Sequence, residues 1–328
     1  RDTKDMLGPG LDFPDMFGAS APQTNNARMR NRGWELSLNW RGKIGNDINY
    51  SVGGSLSDAT AEVTEYANPT GTNPAGNWYV GRKVGEIWGY RAEGIIQTQA
   101  EADEYNKYDL SYLSGKAWEP GDVKYVDLNG DKAINRGKNT LEDMGDMTII
   151  GNTTPRYQYT FNGSISWKDL SLSMMFQGVG KRDWDPGTAP YFWGSGAYAQ
   201  VTVFNEHMDY WREDNPNAYY PKPYIHSAGG VTPFRNKIMQ TSDRYLQSGA
   251  YCRLKNITLS YNLPSSWTQR VGLQKVQVFF SGENLLTFTS LKGMFDPEAI
   301  FTGNSYTSEG GKNYPMNKVI SFGLVVNL

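Results

Sequence analysis

The chain has 328 residues, a formal net charge of −2, one cysteine and two histidines, so it can form no internal disulfide and no Cys/His zinc site. Charged residues make up 20% with both signs scattered, which leaves no clustered basic face for nucleic acid. Mean hydropathy is −0.59 and no run approaches the roughly 20 apolar residues of a spanning helix; that excludes an α-helical membrane protein but not a β-barrel, whose strands turn only half their residues to lipid.

No signal peptide precedes Arg1. The expectation is either that the protein is not exported by that route or that the front of the chain is missing. The first clear element is residues 34–41, where Trp34, Leu36, Leu38 and Trp40 alternate with Glu35, Ser37, Asn39 and Arg41. Period-two alternation of this kind predicts a strand with one apolar face. Residues 48–57 repeat it through Ile48, Tyr50, Val52 and Leu56. Residues 157–167 follow, with Tyr157, Tyr159, Phe161, Ile165 and Trp167 on one side and Gln158, Thr160, Asn162, Ser164 and Ser166 on the other. Residues 170–177 continue with Leu170, Leu172, Met174 and Phe176, although Met175 interrupts the polar side. Residues 251–263 carry Ile257, Leu259, Tyr261 and Leu263. In 276–283, Phe279 stands on the polar side. The chain closes with Ile320, Phe322, Leu324, Val326 and Leu328.

The polar sides are mostly Ser, Thr, Asn and Gln, and the apolar sides end in Trp or Tyr. A soluble sandwich puts Lys, Glu and Arg on its wet face. An apolar band with aromatic girdles around a polar lumen predicts what is seen. Short and long connections also alternate. The long ones fall at about 58–156, 180–250 and 287–317, as expected of extracellular loops opposite short periplasmic turns. The last strand then runs down to a periplasmic C-terminus. About seven membrane strands result, with a few short strands possible in the first long loop. Seven cannot close a single-chain barrel, so the expectation is part of a larger unit.

Several segments resemble the SusC/RagA-like TonB-dependent transporters. Ile150-Gly151-Asn152-Thr153-Thr154-Pro155-Arg156-Tyr157 is similar to the family's IGNPTPRY stretch, and Phe176-Gln177-Gly178-Val179-Gly180 to its FQGVG. Tyr210-Trp211 with Asn215-Pro216-Asn217-Ala218 and Tyr220-Pro221 resembles its YW…NPNA.YP loop. So do Ser242-Asp243-Arg244-Tyr245-Leu246, the stretch from Tyr251 to Leu259, the NLLTFT…DPE region from Asn284 to Glu298, and Tyr314-Pro315. The matches run in order over residues 82–328, and residues 1–33 resemble the segment just before. The family's last residue is usually Phe; here it is Leu328, a departure expected to weaken barrel insertion without abolishing it.

The resemblance implies an all-β fold: the C-terminal part of an antiparallel, plugged transmembrane barrel of about 22 strands, in the outer membrane of a Gram-negative bacterium. The plug and earlier strands are not in this chain. It implies nutrient import driven by the TonB complex, with a SusD/RagB-like surface lipoprotein as partner, outer-membrane lipid around the wall, and room for a dimer of transporter–lipoprotein pairs. Aromatic-rich loops lean towards an oligosaccharide over a peptide. The alternatives are a secreted all-β glycan-binding module and, last, a soluble glycan-cleaving enzyme.

Trp34, Trp40, Tyr50, Tyr157 and Trp167 read as girdle or lipid-facing residues. Trp88, Trp118, Trp184, Trp193 and Trp211 fall in the long loops, where they either stack on substrate or partner or fill loop cores. Asp127-x-Asn129-x-Asp131 has the alternate oxygen spacing of a Ca²⁺ loop, but Lys132 and Lys138 stand where that loop needs Gly and Glu; the other reading is a turn of Asx caps. Glu35, Arg41 and Glu283 point to the polar side, where structural ion pairing is expected. No catalytic set emerges: no Ser–His–Asp arrangement and no fixed carboxylate pair, and Gly178-x-Gly180 lacks the strand–helix context of a nucleotide loop.

Overall fold

The computed structural model describes residues 1–328 except 11–15, 17–21, 69, 188, 195–202, 225–235, 301–312 and 328. Leu328, the terminal residue weighed above, therefore lies outside the described residues.

The chain builds one antiparallel sheet of eight strands: β1 (Asp2–Gly8), β2 (Thr24–Ile44), β3 (Ile48–Glu65), β8 (Arg156–Trp167), β9 (Leu170–Lys181), β12 (Tyr251–Asn262), β13 (Lys275–Thr289) and β14 (Val319–Asn327), in that spatial order. Every strand pairs with its predecessor in the sheet, so the topology is a plain meander. Seven of the eight are the strands the alternation predicts. The eighth, β1, corrects the count. It pairs with the start of β2, where Asn25, Asn26, Arg28 and Arg30 leave no run of large apolar residues on one face. β2 has 21 residues, about twice the 9–11 that cross a bilayer. Its upper half thus extends past any apolar layer, and its sequence needs no apolar face there.

The pairing register keeps the apolar residues together. Leu36 lies opposite Leu56, Trp40 opposite Val52, Phe161 opposite Phe176, Ile165 opposite Leu172, Leu259 opposite Phe280, and Phe280 opposite Phe322. The resulting face is open to its surroundings: Leu38 is 67%, Trp40 68% and Phe322 80% exposed. The other face is a cross-strand ladder of small polar groups. Ser51 meets Ser164 at 2.8 Å, Ser55 meets Thr160 at 2.7 Å, and Thr258 meets Ser281 at 3.1 Å. Hydroxyls and amides at these positions satisfy one another across strands. Phe279, the aromatic on the polar side, lies over Gly323; a Cβ there would sit 2.1 Å from the ring.

Three connections at one end of the sheet are short: 45–47, Lys168-Asp169, and 263–274, which holds the helical turn Ser265–Thr268. At the other end lie 9–23 and three long connections, 66–155, 182–250 and 290–318. They carry β4 (Glu86–Tyr90), β5 (Ala92–Ile95), helix α1 (Gln99–Tyr105), β6 (Val123–Tyr125) and β7 (Met147–Asn152) in the first, and β10 (Asp183–Trp184), helix α2 (Pro190–Trp193) and β11 (Gln247–Ser248) in the second. Thr98 caps α1, its hydroxyl accepting from the Glu101 N–H.

The main hydrophobic core is not under the sheet. Tyr105, Trp118, Tyr125 and Ile134 from the first long connection pack with Trp184, Phe192, Trp193 and Tyr245 from the second and with Leu291, Phe295 and Ile300 from the third. The three connections form one crown over that end of the sheet.

Candidate functional site

The polar face leads upward into this crown, and a cavity of about 360 Å³ lies at the junction. Ser55 and Ser57 of β3, Gln158 and Thr160 of β8, Gln177 of β9 and Tyr251 of β12 line its wall. Their pairings place them on the side of the polar ladder: Ser57 is opposite Gln158, and Thr160 opposite Gln177. Arg182, Pro297 and Glu298 complete the lining from the long connections.

Glu298 is held where it is by β12. Arg253, 3% exposed at its side chain, reaches Asp296 at 2.8 Å and Glu298 at 3.2 Å, and Lys255 reaches Glu298 at 3.0 Å. A bulge makes this possible. Leu254 pairs with Phe176 and Asn256 with Met175, so Lys255 is the extra residue. A bulge bends the strand and re-aims the side chain next to it. Burial alone would raise the Asp296 carboxyl, but the N–H groups of Glu298 and Met316 and the Arg253 guanidinium hold it below the ordinary range. The Asp-Pro-Glu motif is thus the clip that fastens the third connection to the wall.

A second anchor sits at the opposite strands. Arg156 makes a two-pronged ion pair with Asp58 of β3. Just ahead of it, the Thr154 hydroxyl donates to the Val84 carbonyl at 2.8 Å and the Asn152 amide to the same oxygen at 3.0 Å. The Ile150–Tyr157 motif therefore fixes the first connection to the rim of the sheet.

The loop tryptophans fall on the packing side of their two readings. Trp118 is 1%, Trp184 2%, Trp193 7% and Trp211 7% exposed. The Trp118 indole N–H donates to the Val123 carbonyl at 2.9 Å, and that of Trp193 to Gly187 at 2.8 Å. Trp88 is half-buried against the crown core. Long loops must bury apolar groups to hold their shape, and four of these five rings are buried in that way. In contrast, Trp34, Trp40, Tyr157 and Trp167 lie open, and Tyr50 is half-buried with its hydroxyl 3.2 Å from the Trp40 indole nitrogen.

The Asp127–Asp131 segment is a turn closed by its own side chains. The Asp127 carboxylate accepts from the N–H of Gly130 at 2.7 Å and of Lys132 at 2.9 Å. Asp131 accepts from Ala133 at 2.8 Å and from the Asn129 amide at 2.9 Å. These are Asx turns, with the carboxylates occupied by the chain itself. Asp146, fully buried beneath, accepts from Leu128 and Asn135, and burial raises its carboxyl above the ordinary range. Among the described residues no group of three or more His, Cys, Asp or Glu is placed to hold a metal ion. Glu35, Arg41 and Glu283 do fall on the polar side, but none is in an ion pair among the described residues, against the pairing expected of them.

Arg182, the Asp296–Glu298 clip and the cavity between them escaped sequence reasoning. The Asp-Pro-Glu motif was the available signal for the clip. Nothing in the local sequence marks Arg182.

No family model matches the chain. Over 340 residues, 99% of its length, it is 28% identical to TonB-dependent receptor P3 of Formosa agariphila, and over 341 residues 25% identical to TonB-dependent receptor P26 of the same organism. Among solved structures, it matches the RagAB peptide transporter at a TM-score of 0.65 and 23% identity, covering 99% of this chain and 32% of that one. It matches the RagAB peptide importer in its 'open-open' state at 0.66 and 23%, covering 100% and 32%. The resemblance to TonB-dependent transporters read from the sequence thus holds in sequence and in fold. The chain spans 30% and 32% of the two curated relatives.

Proposed function

We propose that the chain forms wall, lumen lining and extracellular crown of a TonB-dependent nutrient importer in the outer membrane of a Gram-negative bacterium. One observation carries this reading. The sheet exposes a continuous apolar face from Trp34 to Phe322 and turns a satisfied Ser/Thr/Asn ladder the other way. Soluble monomers rarely expose contiguous apolar patches beyond a few hundred Å². Lipid outside and water inside is the environment in which both faces are stable.

In this reading the short turns are periplasmic and β14 runs down to a periplasmic C-terminus. The crown meets a SusD/RagB-like surface lipoprotein, which captures cargo and delivers it to the polar face. The TonB complex drives passage through other parts of the whole protein, and two transporter–lipoprotein pairs can associate. The cargo is a nutrient oligomer. The preference for oligosaccharide rested on loop tryptophans as stacking platforms, and with four of those five rings packed inside the crown the peptide class stands level with it.

The test is extraction of the native protein from membranes in mild detergent, followed by intact mass measurement of everything that co-purifies. A species far heavier than 36.8 kDa with a lipidated partner is expected. A lone 36.8 kDa species, soluble without detergent, would overturn the reading in favour of a secreted binding module.

A further inference from the structure

Among the described residues, the crown–wall cavity contains one cation without a counter-charge. Arg182 follows β9 directly and lines the cavity beside Gln158, Gln177 and Tyr251. Its Nε is buried with no hydrogen-bond partner, and its closest polar contact from the guanidinium is a long one, 3.5 Å to the Ile300 carbonyl. No carboxylate among the described residues acts on it, and burial alone pulls its pKa down. The neighbouring acid, Glu298, is already held by Arg253 and Lys255. Those three side chains and Asp296 balance to zero, so among the described residues the cavity keeps the charge of Arg182.

The backbone is shaped around this side chain. The Gly249 N–H donates to the Arg182 carbonyl at 2.7 Å. A Cβ on Gly249 would lie 2.8 Å from the Ile300 methyl and 3.5 Å from the Arg182 Cδ, so glycine keeps open the slot in which the arginine lies. A half-buried guanidinium with no anionic partner is costly to keep charged. Its planar fork is built to receive a carboxylate through two parallel N–H···O bonds, and the amides of Gln158 and Gln177 add neutral donors on the same wall.

We propose that Arg182 is a carboxylate-binding subsite of the transport path, which selects cargo bearing a negative group. This rests on the importer reading and narrows its substrate class to acidic oligomers. Two sources offer the same chemistry: the C-terminal carboxylate of a peptide and the uronate of an acidic oligosaccharide.

The experiment follows modification of Arg182 by phenylglyoxal in the detergent-extracted native protein, read by peptide mass mapping. Protectants are a pentapeptide with a free C-terminal carboxylate, the same peptide as its amide, trigalacturonic acid, and its methyl ester. At least one acid is expected to slow modification about tenfold while its amide or ester does not; which acid does so identifies the source. The labelled peptide should be missing from the map of Arg182→Gln, which fixes the label to that side chain. Three results would overturn the proposal: equal protection by acid and neutral forms, no protection by either acid, or an Arg182 that is inert until the protein is denatured. The last means that another part of the protein covers it. Fractionation of the same membranes tests the importer reading separately, since absence from the outer membrane sinks that reading whatever Arg182 does.

Discussion

Lys237 and Asp122 form an ion pair, 2.7 Å apart, between two side chains that are both completely buried. It joins the second long connection to the first. The Tyr224 hydroxyl donates to the same carboxylate, and burial pushes the Tyr224 pKa far up. Lys237 also donates to the Ala117 carbonyl at 2.8 Å. Breaking one side of such a pair strands a buried charge. Lys237→Met should therefore cost about 3–5 kcal/mol of crown stability. The double variant with Asp122→Leu should recover a large part. Urea-dependent proteolysis of the loops in detergent measures both, and equal losses in single and double variants would refute the coupling.

Arg253 and Asp296 give the third connection a pH dependence. The Asp296 carboxyl is depressed when folded. Its contribution is therefore present above the unfolded carboxylate pKa near 4 and lost as pH falls through the lower, folded value. Hydrogen exchange across residues 291–300 should accelerate below about pH 4. Asp296→Asn should show faster exchange at neutral pH and no acid step. An unchanged acid step in that variant would assign it to another group.

Leu38 and Asn39 are neighbours on opposite faces of β2. Leu38→Arg puts a charge on the apolar side, where lipid makes it cost about 2–4 kcal/mol at mid-membrane. Asn39→Asp should change folding into vesicles far less. If Leu38→Arg instead folds more readily in plain buffer, the apolar face is not facing lipid.

Phe192 sits at 0% exposure among Trp184, Trp193, Tyr220, Tyr245 and Phe295. Truncating a buried aromatic costs about 3–5 kcal/mol. Phe192→Ala should loosen amide protection in all three long connections at once and leave β2, β3 and β8 unchanged. Loosening confined to residues 182–250 would show that the crown is not one unit.

What the sequence revealed of this molecule follows from where its chemistry is local. Strand parity is a local property, so the strand from Trp34 to Arg41 and the one from Tyr157 to Trp167 could be read directly. The apolar layer imposes the pattern, and where the layer ends the pattern ends; β1 and the Asn- and Arg-rich start of β2 left no trace for that reason. The crown is the opposite case. Whether Trp118 or Trp184 faces cargo or core depends on partners from other connections, and Lys237 finds Asp122 only through the pairing of β3 with β8 and of β9 with β12. The bulge at Lys255 likewise exists only in a register.

The crown also dictates an order of events during biogenesis. None of its three segments buries its aromatic side chains alone: Phe192 of the second stacks on Phe295 of the third, and Lys237 of the second lies over Trp118 of the first. Their loop bases come into line only when the intervening strands have zipped, and closing such loops carries its entropy cost before any contact offsets it. Maturation therefore has two stages: the wall inserts first, and the crown condenses afterwards on a finished template. Until then the chain also displays apolar side chains on segments destined for water, which extends the need for an escorting chaperone to parts that never enter the bilayer.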